Sequence, residues 1–367
     1  MKVTSDILSL TPYKPGKPIS EAKRELGLNT IHKLASNENA LGPSDQVVAA
    51  IKDSLHELHR YPDAAAFEML EAYSQHLNVS KEQLTCGNGS NELIDLLIRI
   101  YCEPGDAILT SQAAFIAYKI CAQAARVRTV ETPLTKTGGY DLEAMAQALN
   151  QDAKIRLIFI ANPNNPTGTY SDKVALENFL KVCADREVLV ILDEAYVEFV
   201  RAKDYVSGLE LRKKYPHVVV LRTMSKVYGL AGLRVGFAIA PPEVIDLLNR
   251  VRNPFNVNAL AQVATVAALK DQGHVRRVLE MTWKGLDAFT QAAFELKLPF
   301  FPSEANFLLI DCLTDSEKVF NALLRRGVIT RPVKNYGLMT HLRLSVGLEE
   351  ENQAAIIGLK AVLSSPL

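Results

Sequence analysis

Residues 155–168 read Ile155-Arg156-Leu157-Ile158-Phe159-Ile160-Ala161-Asn162-Pro163-Asn164-Asn165-Pro166-Thr167-Gly168. A short apolar run breaks off into a cluster of amides, prolines and a glycine. Apolar side chains at nearly every position predict a strand buried on both faces. Two further runs end in the same way. Val188 to Leu192 leads into Asp193-Glu194-Ala195-Tyr196, and Val218 to Leu221 leads into Arg222-Thr223-Met224-Ser225-Lys226. Ala107 to Thr110 and Val235 to Ala240 are similar runs, and helical stretches separate them. Such alternation predicts an α/β layered domain with a mostly parallel sheet. Ligands of open sheets bind outside the carboxyl ends of the strands, so the three polar clusters are expected to face one crevice.

On the N-terminal side a helix is expected from Ser44, the N-cap, with Val47, Ile51, Leu55 and Leu58 on one face. The first 35 residues contain Thr11-Pro12-Tyr13-Lys14-Pro15-Gly16-Lys17-Pro18 and read as an irregular arm lying over another surface. After Asn253-Pro254-Phe255-Asn256 the pattern changes. Helical stretches are expected at 258–270 and 274–296, strands at 306–311, 327–331 and 341–346, and a last helix from near Glu349. The expected division is an arm at 1–35, a large α/β domain at 36–255, and a smaller α+β domain at 256–367 that the arm joins.

Composition narrows the function. The chain of 367 residues is 48% apolar and 22% charged, as expected of a globular protein with a sizeable core. Lys+Arg and Asp+Glu both number 41, so the basic excess usual in a nucleic-acid binder is missing. No apolar run approaches the ~18 residues of a membrane span, and no secretory signal opens the sequence. The five cysteines, Cys86, Cys102, Cys121, Cys183 and Cys312, form no CxxC, and the histidines form no HExxH. Disulfides and a metal site are therefore not expected, and a reducing cytoplasm is.

The crevice would hold a lysine, a carboxylate at a buried strand end, a tyrosine three residues on and a loop asparagine. A lysine amine forms a Schiff base with a carbonyl compound. A carboxylate facing a pyridine nitrogen keeps that nitrogen protonated and makes the ring an electron sink. An Asn or Tyr donor can bond the ring's phenolate oxygen. These parts suit pyridoxal 5'-phosphate. Cys86-Gly87-Asn88-Gly89-Ser90-Asn91 offers a cup for its phosphate, with glycines for close backbone approach and free N–H groups where a helix starts. Arg234 can add a fork of donors. The GxGxxG of dinucleotide binding and the GK[ST] ending of a P-loop are both absent.

The ordered set Asn162 to Gly168, Asp193-Glu194-Ala195-Tyr196, Ser225-Lys226 and Arg234 resembles the class I/II aminotransferases of fold type I. Leu34-Ala35-Ser36-Asn37-Glu38-Asn39, Arg60-Tyr61-Pro62-Asp63, Gly87-Asn88-Gly89-Ser90 and Pro302-Ser303-Glu304-Ala305-Asn306-Phe307 are similar to the histidinol-phosphate aminotransferase subgroup. Relatives acting on aromatic amino acids or threonine phosphate share much of this pattern. The resemblance implies a large domain built on a mostly parallel, seven-stranded-type sheet. It implies that Lys226 bonds the cofactor aldehyde and that Asp193 pairs with the ring nitrogen. Asn165 and Tyr196 would hold the phenolate oxygen, and Phe115 would stack on the ring. Gly89, Ser90, Asn91, Ser225 and Arg234 would surround the phosphate, with Tyr61 reaching it from the other subunit of a homodimer with shared sites. Tyr13, Asn39, Arg331 and Arg343 would bind substrate. The implied reaction is transamination between L-histidinol phosphate and 2-oxoglutarate, giving imidazole-acetol phosphate and L-glutamate in histidine biosynthesis run in reverse.

Overall fold

Long apolar runs become central strands because a strand covered on both faces has no side that tolerates water. The structure, a computed structural model, describes residues 3–12 and 16–364. A first short strand, β1 (His32–Lys33), lies near the end of the N-terminal arm. The large sheet is built from β2 (Leu84–Asn88), β3 (Ala107–Ser111), β4 (Arg128–Thr132) and β5 (Ile155–Ala161). It is completed by β6 (Leu189–Asp193), β7 (Val218–Thr223) and β8 (Val235–Ile239). The C-terminal part adds β9 (Phe300–Phe301), β10 (Phe307–Asp311), β11 (Val328–Ile329), β12 (Arg331–Pro332) and β13 (His341–Ser345).

The seven-stranded order is β2-β8-β7-β6-β5-β3-β4, parallel except for β8, which runs against both neighbours. Val190, Ile191, Val219, Val220 and Phe159 are fully buried in it. Each side chain of this size stabilises the fold by roughly 1.5–3 kcal/mol. β2 and β4, which form the two edges, are not among the strands expected from the sequence. Their compositions, Leu84-Thr85-Cys86-Gly87-Asn88 and Arg128-Thr129-Val130-Glu131-Thr132, carry no continuous apolar run. Likewise the expected strand at 327–331 is two short strands, since β11 pairs with β1 and β12 with β13.

Caps follow the expected chemistry at several helices. Ser44 and Asp172 accept from the N–H groups of Val47 and Ala175 and so begin the helices Asp45–Ser54 and Lys173–Ala184. Among the described residues no helix is long and apolar enough to cross a membrane.

The smaller sheet runs β12-β13-β10-β9, antiparallel throughout. Its core includes Leu308, Leu342, Leu344 and, from the arm, Leu34. Arm residues Ala22, Ile31 and Ala35 pack with Leu324 and Ile329. Residues 256–278, expected in the smaller domain, lie elsewhere. Val257, Ala261, Ala264, Val275 and Val278 belong to the core of the large sheet. Leu286, Phe289 and Ala292 belong to the small core. The helix Gln272–Glu295 thus passes from one core into the other. An unbroken helical repeat carries no local sign of that change of neighbours.

Candidate active site

The registers of β5, β6 and β7 bring their carboxyl ends level, with Ala161 opposite Asp193 and Asp193 opposite Leu221. The three polar clusters therefore meet at one cavity of about 670 Å³. Asn165, Asp193, Tyr196, Ser225 and Lys226 line it, as the sequence predicts. Ser90, Asn91, Phe115, Arg234, Arg331 and Arg343 line it too.

Asp193 is 4% exposed. Its Oδ2 accepts from the Tyr118 hydroxyl at 2.8 Å and its Oδ1 from the Ala195 N–H at 3.2 Å. Burial pushes its carboxyl up to about 6, and these two hydrogen bonds pull in the other direction. Lys226 Nζ stands 5.5 Å from the centre of the Tyr196 ring. Burial raises the Tyr196 phenol, while nearby Arg343 and a hydrogen bond from Asn37 lower it. The Asn37 Nδ2 donates to the Tyr196 hydroxyl at 3.0 Å, which leaves the Tyr196 proton available to the cavity.

At one end the helix Ser90–Tyr101 begins directly after Gly89, whose φ is +78°. The first N–H groups of a helix have no partner within it and carry the positive end of its dipole. The backbone is drawn tight here. A Cβ on Gly236 would lie 2.1 Å from Ser90 N, and one on Gly89 would meet the Arg234 guanidinium at 2.4 Å. Thr223 fixes the next turn by accepting from Ser225 N–H at 3.1 Å and donating to Ser225 Oγ at 3.0 Å. Arg234, itself in the left-handed region at φ +59°, donates to Ala231 O and reaches Ser225 Oγ at 3.5 Å. Two hydroxyls, a guanidinium and a helix start converge into a cup for an anion.

A second cationic wall comes from the small sheet. Arg331 and Arg343 are direct cross-strand partners on β12 and β13. Arg343 donates to Asn165 Oδ1 at 2.5 Å and to Ala35 O at 2.8 Å, and its guanidinium lies 5.2 Å from the Phe307 ring centre. With its Oδ1 so used, Asn165 keeps its NH₂ for the cavity.

Asn39 and Tyr61 fall outside the lining of the cavity. Asn39 donates to Val227 O at 2.9 Å and accepts from Leu41 N–H at 3.0 Å, so both ends of its amide are occupied, one across the fold and one in a turn. Asn37 lines the cavity instead. Its φ of +54° turns it inward, where Ser345 Oγ donates to its side chain and accepts from its N–H. Tyr61 is 82% exposed and stacks on Phe255 at 4.7 Å. Tyr13 lies outside the described residues. Gly89 acts through spacing, as its closeness to Arg234 demonstrates. Asn37, Tyr118 and Ser345 are functional-site residues for which the sequence predicts no role. Asn37 sits in a stretch singled out by the sequence, whereas no local sequence signal marks Tyr118, which meets the edge of Phe115 three residues before it.

Residues 29–358 match the family model described as aminotransferase class I and II. The chain is 53% identical over 366 residues to a histidinol-phosphate aminotransferase of Bdellovibrio bacteriovorus, covering 99% of this chain and 98% of that protein. It is 45% identical to one from an Anaeromyxobacter species, covering 99% of each. Among solved structures it is similar to histidinol-phosphate aminotransferase from Sinorhizobium meliloti in complex with pyridoxal-5'-phosphate. That likeness has a TM-score of 0.89 at 25% identity and covers 99% of this chain and 98% of the other.

Proposed function

We infer that this chain, which belongs to the class I and II aminotransferase family, is a pyridoxal-phosphate-dependent histidinol-phosphate aminotransferase. It moves the amino group of L-histidinol phosphate to 2-oxoglutarate, giving imidazole-acetol phosphate and L-glutamate, and catalyses the reverse.

The cavity fits the cofactor by its donor set. A phosphate suits the cup of Ser90, Asn91, Ser225 and Arg234, where the absence of a Cβ on Gly89 makes room for Arg234. Asp193 stands at a buried strand end, suited to hold a proton on the ring nitrogen. Phe115 offers a flat apolar face, and Asn165 and Tyr196 offer donors for the ring's oxygen. The bound cofactor supplies an aldehyde that captures amines and a pyridinium ring that draws electrons from the carbon beside it.

The chain's own groups do the rest. Lys226 would hold the cofactor through its amine, and its Nζ would act as the base that takes the proton from the amino-bearing carbon of the donor and as the acid that supplies one to the corresponding carbon of the acceptor. Arg331 and Arg343 bind the substrate's anionic group, aided by Tyr13. Tyr61, exposed on this chain, serves the cofactor phosphate of a second copy in a homodimer. Its exposure and its stacking on Phe255 support that placement.

The observation that carries the substrate assignment is the Arg331–Arg343 pair on the wall of the cavity that holds Lys226. A phosphate dianion uses two guanidinium groups where a lone carboxylate under-uses one. The test is kcat/KM for L-histidinol phosphate against L-phenylalanine and L-tyrosine on one preparation. A higher value for the phosphorylated substrate is expected. A higher value for the aromatic amino acids would leave the transaminase reading and remove the substrate.

A further inference from the structure

We propose that Tyr118 is a positioning residue for this reaction, its hydroxyl holding Asp193 as the charged carboxylate partner of the cofactor's ring nitrogen. The proposal rests on the role given above to Asp193.

Tyr118 is fully buried on the helix Ala117–Ala124. Its ring stacks on Phe159 at 4.8 Å and 20°, and meets the edge of Phe115 at 5.7 Å and 89°. These two contacts clamp the ring, so its hydroxyl is delivered to one place, 2.8 Å from Asp193 Oδ2. The phenol is pushed well above its usual range, by burial first and then by the Asp193 charge. It is therefore a donor and not a competing acid. Tyr118 does not line the cavity, so it acts through Asp193 and touches no substrate.

A proton shared by a buried carboxyl and a pyridine nitrogen has two resting places. With the proton on nitrogen both partners are charged; with it on oxygen both are neutral. Burial favours the neutral pair, and a donor to the carboxylate favours the charged one. Asp193 sits at 4% exposure, so burial raises its proton affinity, and the Tyr118 hydroxyl at 2.8 Å opposes that shift. Loss of a hydrogen bond to a charged group shifts such an equilibrium by roughly tenfold or more. The ring then loses positive charge, and proton removal from the substrate slows while substrate binding is spared.

The experiment is Tyr118→Phe in the holoenzyme loaded with cofactor carrying ¹⁵N at the ring nitrogen. Phenylalanine keeps the stack on Phe159 and the edge contact with Phe115, and the melting temperature of the cofactor-free variant checks that the fold is kept. The expected result is a ¹⁵N resonance moved from the protonated toward the unprotonated position, with kcat down about tenfold and KM for L-histidinol phosphate within about twofold. Asp193→Asn is the reference. If it moves the resonance and Tyr118→Phe leaves it at the parent position, the Tyr118 proposal is overturned and the Asp193 reading stands. If Asp193→Asn also leaves the resonance unmoved, the Asp193 reading itself has failed.

Discussion

Arg331 and Arg343 stand directly opposite each other on the β12–β13 ladder, and both line the cavity that contains Lys226. Like charges opposed across two strands destabilise a sheet, so the arrangement favours an anionic occupant. The two are unequal in other respects. Arg343 also bonds Asn165 and the Ala35 carbonyl and so ties the large sheet and the arm to the small sheet.

Replacing either arginine with alanine should lower kcat/KM for L-histidinol phosphate by about 2–4 kcal/mol, the scale of removing one partner from a buried charged contact. Arg331→Ala should affect an aromatic amino acid much less. Arg343→Ala should also lower the melting temperature of the cofactor-free protein, because a buried carbonyl and an amide oxygen lose their donor. Equal losses for both substrates in Arg331→Ala would contradict the division of labour.

The buried carboxyl of Asp193 makes the cofactor-free protein sensitive to pH. Its affinity for protons is raised to about 6 from an ordinary 3.8, so between those values the folded chain binds more protons than the unfolded one. Stability therefore falls as pH rises through that window. Asp193→Asn should melt higher than the parent above about pH 7, by an amount worth up to about 3 kcal/mol, and lose that advantage below about pH 4. The same variant should lose activity by about 10²-fold or more, since the ring nitrogen loses its charged partner. Calorimetry of the cofactor-free proteins across pH, with matched assays, checks both.

Gly89→Ala should loosen the cofactor's phosphate. The residue sits at φ +78°, and an added Cβ would lie 2.4 Å from the Arg234 guanidinium. This positive-φ, extended backbone alone costs a non-glycine residue about 1–3 kcal/mol, and Arg234 must also move. Cofactor affinity, measured by equilibrium dialysis, should drop, while Gly232→Ala, which meets nothing within 4 Å, should bind as the parent does.

Tyr61 should act between subunits. Mixing a Tyr61→Phe chain with a Lys226→Ala chain should form some sites with both residues intact, so activity should recover above that of either parent. Sedimentation should find a dimer. A mixture that regains nothing, or a fully active monomer, would remove the shared site.

Much of this protein could be read from residue order alone. Strands β5, β6 and β7 are legible because a strand buried on both faces must be apolar at successive positions, and their polar ends mark the ligand side of the sheet. Lys226, Asp193 and Tyr196 follow from those ends, whereas Asn165 is picked out from its neighbouring asparagines only by the family resemblance. Edge strands β2 and β4 escaped because an edge needs no such run. Tertiary structure alone decided which asparagine of the Asn37-Glu38-Asn39 stretch faces the cavity. Asn37 is held at φ +54° by Ser345, 308 positions away, while the Asn39 amide is taken up by the Leu41 N–H and the distant Val227 carbonyl. It also decided that Tyr118 reaches Asp193 and that one helix serves two cores. The physical reason is the same in each case. Burial leaves a periodic trace in the chain, whereas the partner of a buried polar group is chosen by whatever distant segment folding brings within hydrogen-bond reach.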